Sequence, residues 1–143
     1  MSAMTFYTSY PRNPEILTVD DDPDIGMALT DFLEQEGYSV TMVDTGQAAI
    51  DMSEHHQFQA VILDLGLPDR DGLEVLTQMH NHDPDLPIII LTAYSSLERH
   101  TVMMERRQAF AYLSKPFDRK QLKDTIRRAI ETRAQLSAEA RLV

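Results

Sequence analysis

Several short apolar runs in this chain end in residues that could do chemistry. ILTV (16–19) is followed by Asp20, Asp21 and Asp22, AVIL (60–63) by Asp64, IIIL (88–91) by Thr92, and AFAYLS (109–114) by Lys115 and Pro116. Gathered in one place, they would bring together at least three carboxylates, a hydroxyl and an ammonium. Carboxylates a few ångströms apart cannot all stay ionised without compensation, because repulsion pushes at least one pKa up. A divalent cation removes that conflict. Hard oxygen ligands in an incomplete protein cage, with room for waters and a phosphate, suit Mg²⁺. With Lys115 placed for an anion and the Thr92 hydroxyl able to donate to it, the set suits phosphoryl transfer: Asp64 attacks phosphorus, and metal and ammonium bear the charge on the equatorial oxygens. On this reading Asp64 is the carboxylate to be phosphorylated. Gly66 would let the next loop bend so that its carbonyl faces the metal, and Pro68 and Gly72 would shape the turn into the following helix.

Such a set needs a scaffold that delivers all of these positions to one edge. EILTVD (15–20), YSVTMVD (38–44), QAVILD (59–64), PIIILTA (87–93) and AFAYLS (109–114) read as strands, and the unbroken VIL and IIIL fit strands covered on both faces. Helical patterns lie between them. Ile25, Leu29, Phe32 and Leu33 share one face, with Gly37 at a C-cap position. TGQAAIDMSEHHQ (45–57) reads as a short helix, and DGLEVLTQMHNH (71–82) sets Leu73, Leu76 and Met79 on a stripe. SSLERHTVMMERR (95–107) reads as a fourth helix behind a serine cap, with Met103 and Met104 filling core. A long helix begins at Asp118, with Leu122, Ile126, Ala129, Arg133, Leu136 and Ala140 at alternating spacings of four and three. Strands alternating with helices imply βαβ units, hence an α/β fold of the (βα)5 type, a doubly wound five-stranded parallel sheet. In such a sheet function sits at the carboxyl ends of the strands, near the switch in strand order.

Composition narrows the partners. The 143 residues suffice for one domain. The formal net charge of −10, from 23 acidic and 13 basic residues, argues against direct nucleic-acid binding by this chain. It fits a cation site, a basic protein partner or simply a solvated acidic surface. With no cysteine, disulfides, thiolate catalysis and zinc–thiolate sites are excluded. His55–His56 and His80-x-His82 lack the i, i+4 spacing of helical metal ligands, so no metal is expected there. Residues 1–14 carry no periodic pattern and are expected to form a flexible tail. Neither a signal peptide nor a stretch near the roughly 18 apolar residues of a membrane span is present. A cytoplasmic location without membrane contact is the expectation.

Taken together, VDDD (19–22), LDLGLPDRDG (63–72), LTA (91–93) and YLSKPF (112–117) resemble the receiver domain of two-component response regulators. Four separated motifs in order over about residues 15–130 carry the resemblance. It implies a flavodoxin-like strand order 2-1-3-4-5, with a domain over 15–131 and a C-terminal extension over 132–143. It implies that Asp64 is the phospho-acceptor, and that Asp20 and Asp21 are the acidic pair, Asp21 the direct Mg²⁺ ligand and Asp20 acting partly through water. The Gly66 carbonyl would be a backbone ligand, Thr92 the switch hydroxyl, Lys115 the phosphate-contacting lysine and Tyr112 the aromatic that turns inward. The Lys115–Pro116 bond is often cis in such domains. Asp22 has no family role and reads as an exposed residue at a helix start, where negative charge suits the dipole.

The resemblance also implies a signalling switch rather than a turnover enzyme. A sensor histidine kinase would donate the phosphoryl group, and the face formed by the fourth helix, fifth strand and fifth helix would signal to an output domain, a downstream protein or a second copy. Two rivals have different chemistry: a receiver-like interaction module that is never phosphorylated, and a Mg²⁺-dependent phosphohydrolase. The second would need an acid–base two residues after Asp64, where Gly66 stands. Three features depart from the family: one extra residue between Thr92 and Lys115, Gln108 where a glycine commonly ends the fourth helix, and the pair Gly66 and Tyr94 at positions that influence acyl-phosphate lifetime. After residue 130, Leu122, Ala129, Leu136 and Val143 continue a heptad-like series, read as a linker or dimerisation helix or as one amphipathic helix lying on the sheet.

Overall fold

The computed structural model describes residues 13–93 and 108–141. The helix expected over 95–107, Tyr94, Met103 and Met104, most of the N-terminal tail and Val143 lie outside the described residues. Five strands, β1 (Glu15–Val19), β2 (Ser39–Val43), β3 (Ala60–Leu63), β4 (Ile88–Thr92) and β5 (Ala111–Ser114), form one sheet. Among the described residues the helices are α1 (Pro23–Gln35), α2 (Gly46–His55), α3 (Gly72–His82) and α4 (Arg119–Arg141).

The strand order is β2-β1-β3-β4-β5 and every pairing is parallel. The chain leaves β1 toward one edge and returns on its other side as β3, so the switch in order falls between the strands that precede Asp20 and Asp64. This is the doubly wound, flavodoxin-like arrangement.

The apolar runs are unbroken because both faces of the sheet are covered. Leu17, Val19, Val61, Leu63, Ile88 and Ile90 pack with Ile50 of α2 and Val75, Leu76 and Met79 of α3. The alternate strand residues Ile16, Ala60, Ile62, Ile89 and Leu91 pack with Leu29, Phe32 and Leu33 of α1 and Leu122, Ile126 and Ala129 of α4. Two-residue periodicity thus serves two cores at once. Val75 replaces Leu73 on the buried stripe of α3; Leu73 is half-buried at the margin of the same cluster.

Helix ends follow local chemistry. Asp22 is the N-cap of α1, accepting from the Asp24 N–H with Pro23 in the first turn, so its place at the helix start is capping as well as charge. Thr45 and Asp71 cap α2 and α3 in the same way. Gly37 takes the left-handed conformation beyond α1, with φ 93°.

The series along α4 is buried within the chain as far as Arg133. Leu122, Ile126 and Ala129 are fully buried, and Arg133, also buried, reaches Asp83 at the end of α3 with contacts of 2.8 and 3.4 Å. Beyond Arg133 the residues to Ala140 are exposed. Up to Arg133 the helix is therefore an amphipathic helix lying on the sheet, and Leu136 of the heptad-like series stands exposed beyond it.

Gly72 is the tightest point of the loop between β3 and α3. A Cβ there would stand 2.4 Å from the Leu65 Cα and 2.7 Å from its carbonyl oxygen. Gly→Ala in a helix ordinarily stabilises. Here Gly72→Ala is expected to destabilise, by about 1–3 kcal/mol of overpacking, read as a lower melting temperature. An unchanged or raised melting temperature would contradict this packing.

Candidate functional site

The strands do not stop pairing where the site begins. The Asp64 N–H donates to the Val19 carbonyl at 2.9 Å, and the Asp20 N–H to Val43 at 3.1 Å. These bonds extend the sheet by one step and hold both aspartates on its carboxyl rim. On the other side of Asp64, the Lys115 N–H donates to the Thr92 carbonyl at 3.1 Å and ties the end of β5 to the end of β4. The Lys115–Pro116 peptide is cis.

The side chains converge on Asp64, which is 7% exposed. Its Oδ1 accepts from the Thr92 hydroxyl at 2.6 Å and from the Gly66 N–H at 3.1 Å. Its Oδ2 accepts from the Lys115 ammonium at 2.9 Å, and the same ammonium contacts Asp20 Oδ2 at 2.6 Å. Asp20 Oδ1 in turn accepts from the Asp22 N–H at 3.0 Å. Asp21 is exposed beside this buried pair. One carboxylate oxygen from each of Asp20, Asp21 and Asp64 lies within 4.8 Å of the others, and among the described residues no other His, Asp or Glu group is so arranged. The histidine pairs do not form one.

The two buried carboxylates differ electrostatically. Burial alone would raise Asp64, but the Thr92 hydroxyl, the Lys115 ammonium and the Gly66 N–H outweigh it and hold its carboxyl below the ordinary value. For Asp20 burial prevails and the pKa rises, although Lys115 and the Asp22 N–H oppose it. Lys115 loses solvent yet gains two carboxylate partners, and its pKa is raised. The ionised carboxylate of Asp64 is thus the form the fold favours, with oxygen donors beside it for a hard cation.

The predicted residues Asp20, Asp21, Asp64, Thr92 and Lys115 are all brought together. Gly66 is in place through its N–H, but nothing in its geometry requires glycine. Its φ is not left-handed, and the nearest atom to a Cβ there would be Asp64 Oδ1 at 3.9 Å. The close approach in this loop belongs to Gly72 instead. Tyr112 is half-buried against the α2–α3 core, and burial pushes its hydroxyl pKa up. Gln108, just before β5, accepts from the Thr77 hydroxyl at 2.9 Å and so fastens this segment to α3.

Asp69 escaped the sequence reading. Its carboxylate accepts from the Gly46 and Gln47 N–H groups at 2.8 and 3.0 Å, closing the first turn of α2 from the loop that follows Asp64. Arg70 adds a bond to Gln47 at 2.8 Å. Those contacts span 22 and 23 positions, so no local pattern announces them.

The family model described as "Response regulator receiver domain" matches residues 16–127. The chain belongs to this family. Among curated relatives, it is 32% identical over 131 residues to the C4-dicarboxylate transport transcriptional regulatory protein DctD of Pseudomonas aeruginosa, covering 91% of this chain and 28% of that protein. It spans between 24% and 29% of the length of the first such relatives it matches. Sporulation initiation phosphotransferase F of Bacillus subtilis is 31% identical over 118 residues, covering 81% of this chain and 93% of that protein. The crystal structure of response regulator TrrA from Thermotoga maritima, in complex with Mg²⁺ and BeF, is similar with a TM-score of 0.74 and 32% identity, over 81% of this chain and 98% of that one. This receiver domain therefore shares its fold with a magnesium-bound relative and carries an acidic cluster that could hold a metal.

Lys115→Met tests the charge balance. In metal-free protein, carboxyl-carbon NMR should show Asp64 titrating below Asp20, with both moving upward in the variant. A carboxylate held below its unfolded pKa adds stability at neutral pH that is lost as pH falls through the folded value. The destabilisation by Lys115→Met should accordingly be largest near neutrality and shrink on acidification. Unmoved carboxyl titrations would refute the assigned role of the ammonium.

Proposed function

We propose that this receiver domain accepts a phosphoryl group on Asp64 from the phosphohistidine of a sensor histidine kinase. The observation that carries the reading is the grip on Asp64: Thr92 on one carboxylate oxygen and Lys115 on the other, beside Asp20 and Asp21. One oxygen of Asp64 forms the P–O bond as the P–N bond of the donor breaks, the imidazole keeping that electron pair. The product is an acyl phosphate. Lys115 then moves its charge from a carboxylate to the phosphoryl oxygens, and Thr92 gives up Asp64 to donate to one of them.

Asp20, Asp21, Asp64 and the Gly66 carbonyl are the residues that would hold Mg²⁺. When bound, the ion supplies positive charge against the phosphoryl oxygens. The donor set fits: every member is a hard oxygen, and Asp21 remains exposed for it. Turning of Thr92 would free space for Tyr112, so that the β5 side of the domain reports the chemistry to an output domain, a downstream protein or a second copy. The chain acts as a switch rather than a turnover enzyme, in the cytoplasm where its kinase partner presents phosphohistidine. Among the described residues no helix is long and apolar enough to cross a membrane.

Intact mass spectrometry after incubation with Mg²⁺ and acetyl phosphate tests this reading. Wild type should gain the mass of one phosphoryl group and Asp64→Asn none. Because a short-lived acyl phosphate would escape detection, beryllofluoride binding by fluorine NMR accompanies it. Absence of both in folded wild-type protein would overturn the assignment and leave a receiver-like interaction module.

A further inference from the structure

A groove of about 360 Å³ runs between the first turn of α1 and the end of β2, on the side of β1 away from Asp64. Thr18, Asp22, Gly26, Met42 and Asp44 contribute to its walls, and Asp20 and Asp21 join one end of it to the acidic cluster at Asp64. Its floor has an unusual occupant. Thr18 is 1% exposed, and its hydroxyl is, among the described residues, the one buried side-chain polar atom without a hydrogen-bond partner. Leaving such a group unsatisfied costs on the order of 1–3 kcal/mol.

The cover over that hydroxyl is soft. Thr18 and Met42 are directly paired across β1 and β2, so their side chains share a face. Met42 is 46% exposed, and its sulfur would stand 3.3 Å from a Cβ placed on Gly26. The thioether therefore extends from β2 across to α1, past Thr18. Methionine has three rotatable bonds and repacks readily. Gly26 sits inside a helix, where glycine costs about 1 kcal/mol relative to alanine, and the missing side chain leaves the groove open.

The polar lining fixes the chemistry of a ligand. Among the described residues it consists of carboxylates and one hydroxyl, with no lysine, arginine, histidine or amide side chain. The Lys115 ammonium is held by Asp20 and Asp64. A complementary group must bring N–H donors and positive charge, on a stem apolar enough to lie against Met42, Val43 and Pro23.

We propose that this groove is a subsite for an organic cation with several N–H donors, a guanidinium or primary ammonium on a short apolar stem. Thr18, Asp22 and Asp44 are its acceptors, and Met42 is its movable cover. The site does not depend on phosphorylation of Asp64.

Nitrogen–proton NMR of the whole chain with saturating Mg²⁺, titrated with methylguanidinium at constant ionic strength, tests this. Saturable shifts centred on the amides of Thr18, Gly26 and Asp44 are expected, with a much weaker response to tetramethylammonium, which carries charge but no donors. Thr18→Val and Asp44→Asn should each weaken binding roughly tenfold, as the loss of a hydrogen bond to a charged group does. Gly26→Arg should abolish it by filling the groove with a tethered guanidinium, while beryllofluoride binding at Asp64 persists and shows the fold and metal site intact. A second titration with an end-blocked Gly-Arg-Gly peptide separates the sources. Binding of the peptide assigns the groove to a partner's side chain; binding of methylguanidinium alone assigns it to a free small molecule. No saturable shift, an equal response to tetramethylammonium, or undiminished affinity in Thr18→Val and Asp44→Asn would overturn the proposal.

Discussion

The site depends on one ammonium shared between two buried carboxylates. Asp20 and Asp64 are both less than a tenth exposed and face one another across adjacent strands, an arrangement that repulsion would oppose. Lys115 reaches both within 3 Å and makes their coexistence tolerable. A single cation between two anions leaves net negative charge, to which the exposed Asp21 adds. That residual charge leaves a rim that could hold a divalent metal, and the lysine carries its own charge on a flexible four-carbon stem.

Everything else holds these groups in place. Parallel pairing carries β1 and β3 one bond past their last strand residues, and the β4–β5 pair delivers Thr92 and Lys115 opposite them. The unbroken apolar runs cement this rim from beneath on both faces. The loop after Asp64 is pinned at three points: Gly66 to the Asp64 carboxylate, Asp69 to the start of α2, and Gly72 against the backbone of Leu65. Its geometry is set by neighbours rather than by intrinsic turn preference.

Much of this was legible in the sequence because it is written locally. Runs such as IIIL followed by Thr92 mark both a buried strand and the residue it delivers, and the helix caps lie beside the helices they close. Five rim residues followed from that logic and from the receiver motifs. The remainder is set by distant contacts. Asp69 looks like any loop carboxylate until the start of α2 folds against it. Gly66 and Gly72 look alike in the sequence, yet only the approach of Leu65 reveals which one must lack a side chain. Arg133 reads as a flaw in a heptad series, and only Asp83 across the fold explains a buried guanidinium.

The Arg133–Asp83 pair has a mechanical corollary. It lies at the end of the domain opposite Asp64 and fastens α4 to the turn after α3. The exposed turns from Ala134 to Ala140 thus form a spoke of about 10 Å, clamped at its base, at 1.5 Å per residue. The clamp fixes the angular phase of the tip relative to the sheet. Adding one residue to the spoke would rotate whatever its tip presents by about 100°, whereas adding seven would nearly restore it. The spoke therefore behaves as a pointer whose heading is counted in residues, with the ion pair as its zero mark.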